Sequence, residues 1–554
     1  MKTRVISRWL SAFVLIASLV MPALCQQAAK ASSLSPVEQS LDRRVNSDTI
    51  RQVTTRLASP DLEGRGTGQP GADRAAKYIA DKFASLGFKP LGDSGSFLQT
   101  AKFKVSEVRP GTTVKAGDTE LKFGSDFVLA PPFPDADVDA TGALVSIGFG
   151  VVSTDLKRDD LAGLDLKGKV ALVLFGGPPR GVDPGAWAKV ANPQAVIGRL
   201  VGKAVAGVIA MNFGSETQPY SIVAEYLTRR QIALADAPKA PTKLPPFLLV
   251  GDDGAEKLLS GSGTTYSQFK EKAFKGEVVS RELGKSLSIT TRIKHEEATS
   301  SNVVGVLEGS DPALKDQAVV FSAHYDAFGV GAGGKIFPGA ADNALGVAEM
   351  TAVGEALANI NPRPKRSIIL IAFTGEEAGL LGSQYWVAHP TWPLAKVAAD
   401  LNLDGIGTEV WGSVKRMVGY GADQSALGEA IERVAAAEGV ESAADPFPEE
   451  GVFYRSDHFP FVKAGVPAIM PLGLPGGDEA AIIQRAKKWL VTDYHMTTDT
   501  VRPDWNWEGP RTVASILGVA GYRIANADAM PEWLPSSPFK KDRAGSTQPP
   551  SKNL

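Results

Sequence analysis

Apolar residues in this chain come in two textures. In the first, aliphatic and β-branched residues run on without a charged break and then stop on charged ones. Ser367–Thr374 reads SIILIAFT before Gly375-Glu376-Glu377, and Ala318–Ala323 reads AVVFSA before His324-Tyr325-Asp326. A strand without a polar face is buried on both sides, as in a mostly parallel sheet covered by helices. Asn302–Leu307, Val397–Leu403 and Val466–Met470 add further strands. Between strands the period lengthens: Ala76, Ile79, Ala80, Phe83 and Leu86 recur at helical spacing, and Gly87 supplies the stop. Asp48–Ser59, the stretch containing Leu345, Ala348, Val353 and Leu357, Ala426–Gly439 and Arg511–Ala527 also read as helices. The pattern predicts an α/β fold, a mixed and mostly parallel sheet sandwiched by helices.

The second texture begins near Asp135. Short strand-like runs, Ala143–Phe149, Lys169–Leu174, Ala206–Met211 and Phe247–Val250, alternate with Gly- and Pro-rich loops. No His lies between residues 131 and 290. This predicts a smaller β-rich domain, residues 131–290, inserted into a host made of residues 36–130 and 291–535. Its role is binding or shielding, since it offers nothing for catalysis. Residues 26–45 are polar and read as flexible, and residues 536–554, rich in Pro, Ser, Lys and Asp, as a disordered tail.

Lys2, Arg4 and Arg8 precede the apolar stretch Trp9–Val20, which is short for a membrane span. Residues 1–25 therefore read as a signal peptide, and the mature chain as exported, periplasmic or secreted, without a transmembrane span. A lipid anchor through Cys25 is the alternative, disfavoured by the bulky Leu24. Cys25 is the only cysteine. Cleavage after it leaves no thiol, so a metal site must use His, Asp and Glu. The 554 residues are 44% hydrophobic with a net charge of -2, which gives no reason to expect a nucleic-acid partner.

Against that background the charged strand ends acquire meaning. His324 follows one strand, Glu376 and Glu377 the next, and Asp404 a third; Asp342 opens a helix and His495 sits in a later loop. In open α/β sheets, ligands gather at the carboxyl ends of strands. Two His and three carboxylates suit zinc, with cobalt or manganese as substitutes. Five ligands exceed one tetrahedral ion but serve two when a carboxylate is shared, about 3.5–4 Å apart as in two-metal hydrolytic sites. Glu376 then remains to move protons. Asp61–Gly71, DLEGRGTGQPG, lacks the Lys-Ser/Thr of a phosphate loop and reads as a surface loop near the site.

HYD, the Asp-Asn opening a helix, TGEEAGLLGS, NLDGIG and YHMTTDT, in that order over residues 300–505, resemble the zinc aminopeptidase family that includes glutamate carboxypeptidase. LEGRGTGQPG extends the resemblance towards the amino terminus, and the insert resembles a protease-associated domain. The resemblance implies two zinc ions per chain. It puts His324 and Asp404 on one ion and Glu377 and His495 on the other, with Asp342 bridging and Glu376 as the base. Asp326 would orient the imidazole of His324 from behind. A cis peptide between Asp342 and Asn343 is implied as well. Tyr454 would donate to the tetrahedral oxyanion, with Phe453 the rival for that register. His458 reads as structural, and His295 and His389 carry no signal.

The function implied is an exported exopeptidase acting on peptides, an aminopeptidase first. Three rivals stand beside it: a carboxypeptidase of the glutamate carboxypeptidase type, a single-zinc transferase like glutaminyl cyclase, and a receptor-like binding protein without catalysis. The last is opposed by the intact ligand set and the intact Glu376.

Overall fold

The computed structural model describes residues 33–131, 133–214, 219–237, 244–405 and 407–540. The signal segment with Cys25, and residues 541–554 of the predicted tail, lie outside them. The chain divides into two compact units, one comprising residues up to Ala101 and from Thr299 onward, the other Lys102–Ala298.

The first unit is built on a mixed sheet. Its strands are β1 (Ile293–Leu307), β2 (Ala318–His324), β3 (Ser367–Phe373), β4 (Val397–Asn402), β5 (Val414–Tyr420) and β6 (Ala468–Pro475), in the order β1-β3-β2-β4-β6-β5. The four central strands β3, β2, β4 and β6 are parallel, and β1 and β5 flank them antiparallel. Every residue of β2, β3 and β4 is buried, as the unbroken apolar runs of β2 and β3 predict. Alternation then assigns the faces. Val319, Phe321 and Ala323 of β2 join the core of α1 (Ser47–Leu57), α2 (Pro70–Ser85), α3 (Leu345–Ala358), α5 (Leu427–Ala437) and α7 (Glu508–Asn526). Val320 of β2, with Ile369, Ile371 and Phe373 of β3, packs instead on Trp386 of α4 (Leu381–Ala388) and Phe461 of α6 (His458–Lys463). Period two on two covered faces fixes the register, because a one-residue slip would exchange the two cores.

One segment departs from expectation. Residues read as flexible contain the helix Pro36–Arg44, closed by a capping box in which Glu38 accepts from Ser35 N and Ser35 Oγ from Glu38 N. Glu38 also accepts from Arg523 of α7 at 2.6 Å, which ties this helix down. Of the predicted tail, Phe539 lies among the rings of Phe453, Phe459 and Trp533.

The second unit has its own eight-stranded sheet, with Val138–Ser146, Val170–Leu174, Gly207–Met211 and Phe247–Val250 as a parallel series. Thr113–Ala116, Thr119–Leu121 and Phe127–Leu129 belong to that sheet. The unit therefore takes in residues ahead of position 131. Helices such as Pro193–Gly202 and Asp252–Leu259 cover it. Among the described residues, no helix is long and apolar enough to cross a membrane.

Candidate metal centre

Three neighbouring parallel strands of the first unit deliver their carboxyl ends side by side. β2 closes on His324, and Tyr325 N donates to Phe373 O, which holds this end level with β3. β3 gives way to Gly375, whose φ of 71° turns the chain and sends Glu376 and Glu377 off the sheet. β4 gives way to Leu403, whose N–H donates to Ser322 O at 2.7 Å, and then to Asp404. Asp342 lies in the irregular turn Ala340–Ala344 that opens α3. The side chain of Asn343 donates to Leu403 O and accepts from Gly346 N, so it anchors that turn to β4. The peptide between Asp342 and Asn343 is cis.

These elements bring the ligand set together. His324 Nε2 lies 3.2 Å from Asp342 Oδ1 and 3.4 Å from Asp404 Oδ1. His495 Nε2 lies 3.2 Å from Asp342 Oδ2 and 3.1 Å from Glu377 Oε2. The two oxygens of Asp342 are thus divided between two His-carboxylate groups, His324-Asp342-Asp404 and Asp342-Glu377-His495. Atoms 2.0–2.2 Å from one tetrahedral ion sit roughly 3.3–3.6 Å from each other, close to the separations here. Glu376 belongs to neither group; its Oε2 is 3.8 Å from His324 Nε2.

The protonation of His324 makes the same point. Its Nδ1 lies 3.1 Å from the main-chain oxygen of Asp326, an acceptor, so Nδ1 carries a proton. Nε2 is buried without a hydrogen-bond partner and faces carboxylate oxygens. A lone pair pointed at anions is satisfied only by a cation between them. Without a metal that cation is a proton: burial alone would depress the His324 pKa, but Glu376 and Asp404 outweigh it and hold it well above the usual value. Burial raises Glu377 to about 7 against the pull of His495, and it also raises Glu376, against the pull of His324. Three carboxylates and two imidazoles so arranged fit a pair of divalent ions.

The carboxylate of Asp326 holds more than the imidazole. Oδ1 accepts from Glu376 N at 3.2 Å and Oδ2 from Thr67 Oγ1 at 3.1 Å, while Oδ1 stands 3.6 Å from His324 Nδ1. Behind Asp404, the Ser456 hydroxyl donates to Oδ2, and Asn402 Nδ2 donates to Ser456 Oγ at 2.7 Å.

Residues 302–519 match the sequence profile of peptidase family M28. Among curated relatives, a probable glutamate carboxypeptidase of Arthroderma benhamiae is 26% identical over 59% of this chain and 50% of its own length. Aminopeptidase YwaD of Bacillus subtilis is 31% identical over 30% of this chain and 34% of its own. The chain thus spans half or less of the length of these relatives. The solved aminopeptidase from Aneurinibacillus superposes with a TM-score of 0.59 at 18% identity, over 88% of this chain and 95% of that one. A zinc aminopeptidase from Bacillus subtilis superposes with a TM-score of 0.52 at 19% identity, over 86% and 95%. At such identities the likeness establishes the mixed α/β fold.

Other residues singled out from the sequence resemblance belong to neither metal-capable group. Tyr454 is 56% exposed, its ring edge-on to Phe453 and Phe459. Phe453 packs on His458 and Phe539 and has no hydroxyl to offer. His458 is fully buried; burial pushes its pKa down to about 3, and it belongs to neither metal-capable group. His295 sits in the second unit between Ser106 Oγ and Pro134 O, and His389 lies against the Tyr385 ring.

The loop DLEGRGTGQPG corrects a sequence reading. It is not on the surface: Leu62, Gly64, Arg65, Gly66 and Thr67 are buried, and Arg65 is wholly so. The reason is main-chain bonding. Arg65 donates to the carbonyls of Tyr325, Leu57, Pro338 and Gly339 at 2.5–2.7 Å. A β-carbon on Gly64, at φ 65°, would stand 2.2 Å from Phe337 O, so only glycine lets the loop close in. Sequence reasoning also passed over Tyr494, stacked on the His495 ring at 3.6 Å between centroids, and Asp499. Both fall inside YHMTTDT, which was the available signal.

Proposed function

We propose that the chain is an exported di-zinc exopeptidase, an aminopeptidase that removes N-terminal residues from peptides. The observation that carries this is the division of the Asp342 oxygens between two His-carboxylate groups, with Glu376 beside them and in neither. In this reading His324 and Asp404 would hold one zinc and Glu377 and His495 the other, with Asp342 serving both. When bound, two such ions polarise a scissile carbonyl and make water acidic enough to attack. Glu376 takes the proton of the attacking water and returns it to the leaving amine. Burial first, and then Asp404 and Glu377 against the pull of His324, hold its carboxyl above the usual carboxylate range. Asp326 fixes both His324 and the main chain of Glu376, coupling the ligand to the base. Tyr454 is the proposed donor to the oxyanion. Residues 131–290 are assigned to a protease-associated-like insert that binds or shields substrate.

A carboxypeptidase is the second reading, favoured by Arg455. Burial would lower this guanidinium, but Tyr494, Glu450 and Glu376 raise it, which puts a persistent positive charge in the field of the base. A panel of aminoacyl and N-blocked peptide substrates, with zinc measured on the same sample, decides. The account predicts turnover of free-amine substrates with two zinc per chain. Turnover confined to N-blocked substrates with acidic C-termini would replace it with the second reading.

A further inference from the structure

The buried loop around Arg65 and the acid in YHMTTDT meet at one place, the turn that carries Asp342. Arg65 Nη1 and Nη2 hold the carbonyls of Pro338 and Gly339, just ahead of the turn, at 2.6 and 2.7 Å. Its Nε holds Tyr325 O, one residue past His324, at 2.5 Å. From the other side, Asp499 Oδ1 accepts from Ala341 N at 2.9 Å and Oδ2 from Asp342 N at 3.1 Å. Every main-chain group from Pro338 to Asp342 named here is therefore held by a buried charged side chain. A fully buried Arg is rare unless its charge is answered; here Asp499, Asp326, Asp342 and Glu377 answer it.

We propose that Arg65 and Asp499 are positioning residues for Asp342, fixing the turn so that its two carboxylate oxygens stay divided between the His324 and His495 groups. The inference rests on the two-metal reading. Neither side chain touches a ligand oxygen; both act through main-chain amides and carbonyls. The planar fork of Arg suits three carbonyls in fixed directions, and lysine would lose that geometry while keeping the charge. An Asp accepts from two amides at once, whereas Asn would turn a donor towards one of them. Because Asp342 gives one oxygen to each ion, an error in its placement reaches both sites together. That separates it from a defect in Asp404 or Glu377, each of which serves one ion.

The test is zinc affinity of the full chain, titrated against a chelator of known strength, for wild type, Asp499→Asn, Arg65→Lys and the comparator Asp404→Asn. Removing a residue that orients a ligand costs about 10–100-fold in affinity. The expected result is that Asp499→Asn and Arg65→Lys, in preparations that remain folded, weaken both sites by that factor and alike. Asp404→Asn should weaken one site only. Unchanged affinity in both variants, or loss at a single site, overturns the proposal. So does failure of both variants to fold, which assigns the pair to fold maintenance. A wild type that takes up a single zinc would defeat the two-metal reading; two tight zincs in wild type and variants alike would defeat this inference alone.

Discussion

Both units of this molecule contain four parallel strands in a row, yet their carboxyl ends differ completely. In the first, β2, β3 and β4 run out into His324, Glu376-Glu377 and Asp404. In the second, Val138–Ser146, Val170–Leu174 and Gly207–Met211 run out into Ile147-Gly148, Phe175-Gly176 and Asn212-Phe213, and Phe247–Val250 runs out into Gly251 and the Asp252-Asp253 pair that begins the helix Asp252–Leu259. Among the described residues, both metal-capable groups lie in the first unit. The same architectural place thus gathers His and carboxylate ligands in the first unit, and in the second carries apolar, Gly and Asn residues with one Asp pair that joins neither metal-capable group. A fold offers a site; the residues at the strand ends decide whether there is chemistry.

The largest effect that could break this contrast is on the base. Glu376→Gln keeps volume and hydrogen-bonding shape but cannot take a proton, so turnover should fall roughly 10²–10⁴-fold in steady-state kinetics. A fall of less than tenfold would remove Glu376 from the mechanism. Next comes Glu377→Gln, which alters one ligand of one ion; metal analysis should then find one tightly held zinc where wild type holds two. Chelation of zinc should act on the first unit alone. At a hundredfold excess over Kd, a bound ion contributes about 2.7 kcal/mol of stability. Hydrogen exchange should accordingly quicken at the ends of β2–β4 and stay unchanged across Val170–Leu174 and Gly207–Met211. The smallest effect on catalysis should come from Leu172→Ala, which cavitates the fully buried core of the second unit at about 2–5 kcal/mol. Zinc content and turnover of a small aminoacyl substrate should stay at wild-type levels while the protein is folded.

What the sequence made legible follows from where the information sits. The strands of the central sheet are covered on both faces, so apolar runs mark them, and β2, β3 and β4 emerge as read. The ligands were legible because side chains of rare type, two of five His among them, stand at strand ends and within specific motifs. Arg65 was not legible, because its partners are main-chain carbonyls of Leu57, Tyr325, Pro338 and Gly339, which no residue pattern marks. A charged residue between glycines resembles a solvent loop until the fold closes around it. The strand Val414–Tyr420 was missed because Lys415 and Arg416 interrupt its apolar run at the sheet's flank. The helix Glu479–Thr492 was missed because only Ala486 and Trp489 among its residues are buried, too few to set a period. The helix Pro36–Arg44 was legible and passed over: Ser35 and Glu38 stand at capping-box spacing.

The central claim is that Asp342 is shared by two ions while Glu376 binds neither and moves the proton. Elemental analysis and turnover on the same samples of wild type and Glu376→Gln test it most directly. The account predicts two zinc per chain in both proteins, with activity in the wild type and its near-complete loss in the variant. One zinc in a fully active wild type, or loss of zinc from Glu376→Gln, would contradict it.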